Sequence, residues 1–143
     1  MRLATALLAG SLLATGAFAQ CTVTSAGQGC GPVLTVTYTP NGQGGGHIID
    51  VMVDGLDPAG IGLMIWGTYN FDVPIPTFSM CPLHTDALWG HFINADSTGH
   101  WDWQRSWPGS VIGGYYIQMG ELVFDPNGDL DIHTSNCAWA ECQ

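Results

Sequence analysis

Apolar and polar residues alternate along this chain in short runs, and glycine, proline or Asx-rich stretches break each run after a few residues. The segments 33-VLTVTYT-39, 47-HIIDVMVDG-55, 62-GLMIWGTY-69, 88-LWGHFINA-95, 99-GHWDWQ-104, 114-GYYIQMGELVF-124 and the residues around Leu130 to Thr134 read as strands. Between them lie 40-PNGQGGG-46, 56-LDPAG-60, 96-DSTG-99 and 126-PNGD-129, all turn sequences. No stretch sustains the apolar period of a helix. Short strands joined by turns predict an all-β fold, an antiparallel β-sandwich of jelly-roll or immunoglobulin-like type with about seven or eight strands. Period-two spacing assigns the faces. Ile49, Val51 and Val53 share one side, with His47 at the start of the same row. Tyr115, Ile117 and Met119 share a face, whereas Leu122 and Phe124 fall on the other parity, so a β-bulge or kink is expected at Gly120. The run 42-GQGGG-46 leads into a strand and carries no lysine, so it reads as a flexible loop rather than a phosphate cradle.

The first residues change the picture. Arg2, the apolar run Leu3 to Leu13 and the small-residue end Ala17-Phe18-Ala19 form the three-part signal-peptide pattern, with cleavage expected between Ala19 and Gln20. The run is too short for a permanent membrane span. Cys21 raises a lipoprotein alternative, but Gln20 is a poor residue before a lipid-acceptor cysteine. The expected organisation is a signal peptide over 1–19 and one exported domain over 20–143. Loss of Arg2 leaves Arg105 as the one Lys or Arg side chain, and takes the formal charge from −10 to −11. Such a chain cannot displace phosphate counterions, which excludes nucleic acid as a partner, and it does not dock on anionic lipid.

Export permits disulfides among Cys21, Cys30, Cys81, Cys137 and Cys142, with one cysteine left unpaired or available to another chain. Local closure of 21-CTVTSAGQGC-30 and 137-CAWAEC-142 would leave Cys81 alone. Pairing of Cys81 with a terminal cysteine is the open alternative.

The succession 55-GLDPAGIGLMIWG-67, Cys81-Pro82-Leu83, 85-TDA-87, 96-DSTGH-100, Pro108, 114-GYYIQMGELVFDP-126 and 134-TSN-136 resembles a family of secreted bacterial domains of planctomycete and myxobacterial type. The likeness runs from about Ile48 to Asn136 and its motifs are individually short. It implies an extracellular β-sandwich-like domain and brings no agreed activity, so no catalytic residue is carried over. The chain departs from that pattern at 137-CAWAECQ-143, where two cysteines stand in place of an apolar final strand, and a disulfide clasp is expected there.

Three constellations carry candidate chemistry. In 124-FDPNGDLDIHTSN-136, Asp125, Asn127, Asp129 and Asp131 supply the oxygen ligands of a calcium loop. Gly128 stands at the wrong position for an EF-hand, and Asn136 replaces the bidentate Glu at the end. Pro-Asn-Gly-Asp is also a strong turn, so a hairpin is expected, with any calcium bound weakly. His47, His84, His91, His100 and His133 form the second set. His84/Asp86 and His100/Asp102 are spaced i, i+2 and could ligate a transition metal, which would make a small metal-dependent enzyme the alternative function. The bland reading is a scatter of surface imidazoles in a chain short of cations. The third is 100-HWDWQRSWP-108. Trp101 and Trp103 share a face and could stack on sugar rings, with Asp102, Gln104 and Arg105 to hydrogen-bond hydroxyls; aromatics at alternate positions are more often core. There is no G-x-S-x-G elbow or H-E-x-x-H pair. The expectation is a secreted, non-catalytic binding or structural domain touching carbohydrate or matrix, without a required cofactor.

Overall fold

A computed structural model describes residues 20–41, 46–75, 81–108 and 113–143. The signal-peptide reading of 1–19 and most of the glycine-rich loop, 42–45, lie outside the described residues. The chain is all-β and antiparallel. Its strands are β1 (Cys21–Gly27), β2 (Val33–Asn41), β3 (Gly46–Asp54), β4 (Ile61–Gly67), β5 (Asn70–Pro74), β6 (Pro82–Thr85), β7 (Trp89–Ile93), β8 (His100–Trp107), β9 (Gly113–Phe124), β10 (Leu130–Thr134) and β11 (Cys137–Cys142). All seven segments read from the alternation are strands. The count among the described residues is nevertheless eleven, because β1, β5, β6 and β11 were not anticipated. β5 and β6 are short, and in β11 the run 137-CAWAEC-142 has no clean alternation of apolar and polar residues to mark it.

The larger sheet runs β1-β11-β9-β4-β7, with β10 also on β9; a second sheet runs β2-β3-β8, and β5 and β6 form a ribbon. The second sheet lies over the first, with β2 against β1 and β11. Inward rows of both sheets meet in one core. From the smaller sheet come Leu34, Val36, Ile49, Val51 and Val53; from the larger come Met64, Trp66, Ile93, Ile117, Met119, Ala138 and Ala140. Ile49, Val51 and Val53 are fully buried, as the alternation predicts, and each contributes about 1.5–3 kcal/mol of apolar burial. Alanines fill the layer at β11, and rings fill it at β8.

The kink expected at Gly120 lies elsewhere. Strand β9 keeps one register with β4 from Tyr116 to Leu122, and its inward row continues as Ile117, Met119, Glu121 and Val123. Leu122 and Phe124 point outward, Phe124 being 68% exposed. The irregularity sits in the return arm. Thr134 pairs with Gly120 and Ala138 with Ile117, so the step from β10 to β11 holds one residue more than the facing strand. Ser135 and Asn136 occupy that step. The Ser135 N–H donates to Met119 O (2.8 Å), and the Met119 N–H donates to Ser135 Oγ (2.9 Å). Asn136 reaches the other sheet, accepting from Leu34 N–H at 2.8 Å and donating to Leu34 O at 2.9 Å. Buried Gln118 accepts from His84 N–H and donates to Pro82 O and Ser135 O, fastening β6 to β9. The Gln and the T-S-N of the sequence pattern are therefore structural, because they satisfy backbone groups where ladders stop.

The disulfides are Cys21–Cys142 and Cys30–Cys81, and the free thiol is Cys137. Of the pairings the sequence left open, the local closures 21–30 and 137–142 do not form, and Cys81 is bonded, to Cys30. Cys21 and Cys142 are register partners on β1 and β11, so strand and clasp coexist at the C-terminal end. The free cysteine is fully buried, and burial pushes its thiol up to about 11, so it offers no sulfur at the surface for a link to another chain. The two bridges suit an oxidising compartment. No helix among the described residues is long and apolar enough to cross a membrane.

Candidate functional site

Strand β8 is an edge strand of the smaller sheet, and β7 is an edge strand of the larger one. Where these edges face each other, aromatic rings close the sandwich. The inward parity of β8 carries Trp101, Trp103, Arg105 and Trp107, register partners of Val53, Val51, Ile49 and His47 on β3. Across the layer, Trp66 on β4 is register partner of Trp89 on β7. Ring centroids are 5.7 Å apart for Trp66 and Trp89 and 5.7 Å for Trp66 and Trp103. Trp107 meets Tyr115 of β9 edge-on at 5.9 Å. These separations are those of favourable aromatic pairs.

The rings do not fill the edge completely. A pocket of about 440 Å³ remains, lined by Trp66, Leu88, Trp89, Trp103, Arg105, Trp107 and Tyr115. Its volume lies within the range of about 300–1,000 Å³ usual for small-molecule sites. Trp66 forms the floor at 4% exposure, whereas Trp89 (51%) and Leu88 (66%) stand at the mouth. His91 follows Trp89 on the inward row of β7, its ring 5.2 Å from that of Trp89 and 6.0 Å from Trp101. Burial lowers its pKa, so the imidazole beside the pocket is neutral at physiological pH.

Strand parity divides the five residues proposed for sugar contact. Trp103 and Arg105 line the pocket. Trp101 is on the same row and, like Trp103 and Trp107, packs against the core, but it is not on the pocket lining. Asp102 and Gln104 are on the opposite, exposed face, where the Gln104 amide donates to Asp50. Asp102 and Gln104, expected near the indoles, therefore lie away from the pocket that Trp103 and Arg105 line. Trp107 and Tyr115 were missed, and so were Trp66, Leu88 and Trp89. For Trp107 the signal was available, since extending the i, i+2 row by two steps from Trp103 passes Arg105 and reaches it. The others required knowledge of which strands face each other.

The histidines are dispersed. His84 is buried, with Nε2 2.7 Å from Gln28 O and Nδ1 3.6 Å from Asp72. Its expected partner Asp86 instead caps the turn after β4, where Oδ1 accepts the N–H groups of Thr68 and Tyr69, each at 2.7 Å. These bonds, with Tyr69 first, hold the Asp86 carboxyl below its usual range. His100 Nδ1 lies 2.7 Å from Asp54, and Asp102 is 3.9 Å from Nε2. The hydrogen bond to Asp54 raises the His100 pKa. His47 is buried beside Tyr38, while His133 faces Asp131 at 3.4 Å. Among the described residues no three His, Cys, Asp or Glu side chains converge as a ligand set.

The segment 125–129 is a tight turn. Asp125 Oδ1 accepts the N–H groups of Asn127 and Asp129, both at 2.8 Å; its backbone carbonyl accepts from Gly128, which has φ +87°. Those donors, Asp129 first, lower the Asp125 pKa. Asn127 donates its side-chain amide to the other Asp125 oxygen at 3.2 Å. Asp131 turns away from this loop toward Ile132 N–H and His133. The four residues proposed for calcium are therefore split between a self-satisfied turn and a separate strand position.

The fold and site define an antiparallel, disulfide-bonded β-domain with an aromatic pocket at an open sandwich edge. Comparison with protein-family models, with curated proteins and with solved structures returns no match.

Proposed function

We propose that the protein is an exported, non-catalytic extracellular domain that binds carbohydrate through the aromatic pocket at the β7/β8 edge. The observation that carries this reading is the lining itself: four indoles and a phenol around a recess of about 440 Å³, one of them half exposed at the mouth. Large rigid rings stack on the C–H faces of sugars with little loss of side-chain freedom, and the indole and phenol edges supply donors for hydroxyls. Export rests on the N-terminal signal pattern and accords with the two disulfides. Indole fluorescence of the mature protein, titrated with a panel of soluble neutral and charged oligosaccharides, tests the reading. At least one should give a saturable change that Trp89→Ala abolishes without lowering the melting temperature. The reading is abandoned if no member of the panel binds, or if Trp89→Ala binds as well as the unaltered protein.

A further inference from the structure

An aromatic recess on a strongly acidic protein ordinarily suits a cation, because ring faces are negative and the surrounding field attracts positive charge. This recess is different. The one Lys or Arg side chain remaining after residue 19 is Arg105, and it lies on the lining between Trp103 and Trp107. None of the twelve acidic residues is on that lining. Arg105 is exposed, and among the described residues it makes no ion pair and no hydrogen bond. On β8 it occupies an inward position opposite Ile49, a row otherwise given to indoles. A guanidinium is unnecessary for packing there, and an apolar side chain would complete the row.

We propose that the pocket selects an acidic sugar, with the planar carboxylate of a uronic acid on the Arg105 guanidinium and the pyranose ring against the indoles. This deepens the carbohydrate reading and rests on it. A guanidinium matches a carboxylate with two parallel N–H···O bonds, a geometry that a cationic ligand cannot use and a neutral hydroxyl meets only in part. The acidic character of the whole chain does not forbid an anion. Carboxylates farther away than the Debye length, about 8 Å at physiological salt, are screened, whereas a guanidinium and a carboxylate in direct hydrogen-bonded contact lie well inside it. Net charge thus opposes non-specific approach of polyanions, while the pocket admits an acid group that reaches Arg105.

The mature protein is titrated, by calorimetry or indole fluorescence, with an oligogalacturonate, its fully methyl-esterified form and a sulfated oligosaccharide of equal length. The acid form should bind at least about tenfold more tightly than the ester, and more tightly than the sulfated chain. Arg105→Gln should reduce the acid-to-ester ratio to within about twofold; Arg105→Lys, which keeps the charge and loses the fork, should fall between. Trp89→Ala should weaken acid and ester alike. Equal or tighter binding of the ester overturns the acidic-sugar assignment and leaves carbohydrate binding standing, a comparison that needs no variant. Preference for the sulfated chain, or an unchanged ratio in Arg105→Gln, likewise overturns it. Absence of binding to all three, and to the wider panel, removes the carbohydrate reading and this inference together.

Discussion

Replacing Asn136 with alanine should destabilise the protein through two backbone groups on the other sheet. The Asn136 amide completes the outer edge of β2 at Leu34, accepting from its N–H at 2.8 Å and donating to its C=O at 2.9 Å. Leu34 is a core residue, buried within the sandwich, so its backbone has limited access to replacement water. A stranded polar group costs about 1–3 kcal/mol, and because Asn136 is only half-buried the lower part of that range applies to each group. The sum is about 2–4 kcal/mol. For a domain of this size about 1 kcal/mol moves the midpoint by roughly 4 °C, so Asn136→Ala should melt roughly 8–16 °C lower by circular dichroism. Asn127→Ala, in the exposed turn, serves as a control and should stay within about 2 °C. Hydrogen exchange adds a local readout, since the Leu34 amide should lose protection while the Val51 amide on β3 keeps its own. A variant that melts with the unaltered protein and still protects the Leu34 amide would refute the clamp.

Four further outcomes follow from the same structure. Glu121 is 3% exposed and accepts from Asp57 N–H, and burial raises its carboxyl above the usual range. The folded state therefore holds a proton that the unfolded state has lost, and stability falls as pH rises from the ordinary Glu value through the raised one. Glu121→Gln keeps an acceptor and lacks that penalty, so its melting temperature should gain on the unaltered protein over that interval; a pH-independent difference would contradict this. Removing the Cys21–Cys142 bridge, which closes a separation of 121 residues, should cost about 3–5 kcal/mol in a denaturant titration, with β1 the first element to lose exchange protection. The Cys137 thiol should resist a thiol reagent in the native protein at pH 8 and react in full after unfolding. Calcium at about 1 mM should leave the melting temperature unchanged, because Asp125 already accepts two backbone N–H groups; a rise of several degrees would restore the calcium loop.

Local chemistry makes much of this protein legible in its sequence. Alternation in 47-HIIDVMVDG-55 placed Ile49, Val51 and Val53 inward, and they are fully buried. Turn residues at 126–129 marked the hairpin between β9 and β10, since Asx side chains and a positive-φ glycine act within a few residues of themselves. Charge was legible in the same way, including Arg105 as the one Lys or Arg after residue 19. What depends on partners distant in the chain was not. Gly120 read as a bulge because Leu122 and Phe124 are apolar, yet Glu121 takes the inward place and the extra residue lies on the facing arm. Cysteine pairing followed the strands: β1 lies beside β11, which brings Cys21 to Cys142 across 121 positions and leaves Cys137 in the core.

The pocket belongs to both accounts. By itself the sequence determined an exported-looking, acidic, strand-forming chain, because strand period, turn chemistry and charge are properties of neighbouring residues. It also placed Trp101, Trp103 and Arg105 on one parity. Only the tertiary structure decided that this row faces Trp66, Trp89 and Tyr115 across an open sandwich edge. It also turned Asp102 and Gln104 away to the exposed face. The physical reason is that a strand's faces are set by its own period, whereas what it faces is set by how two sheets stack to bury them.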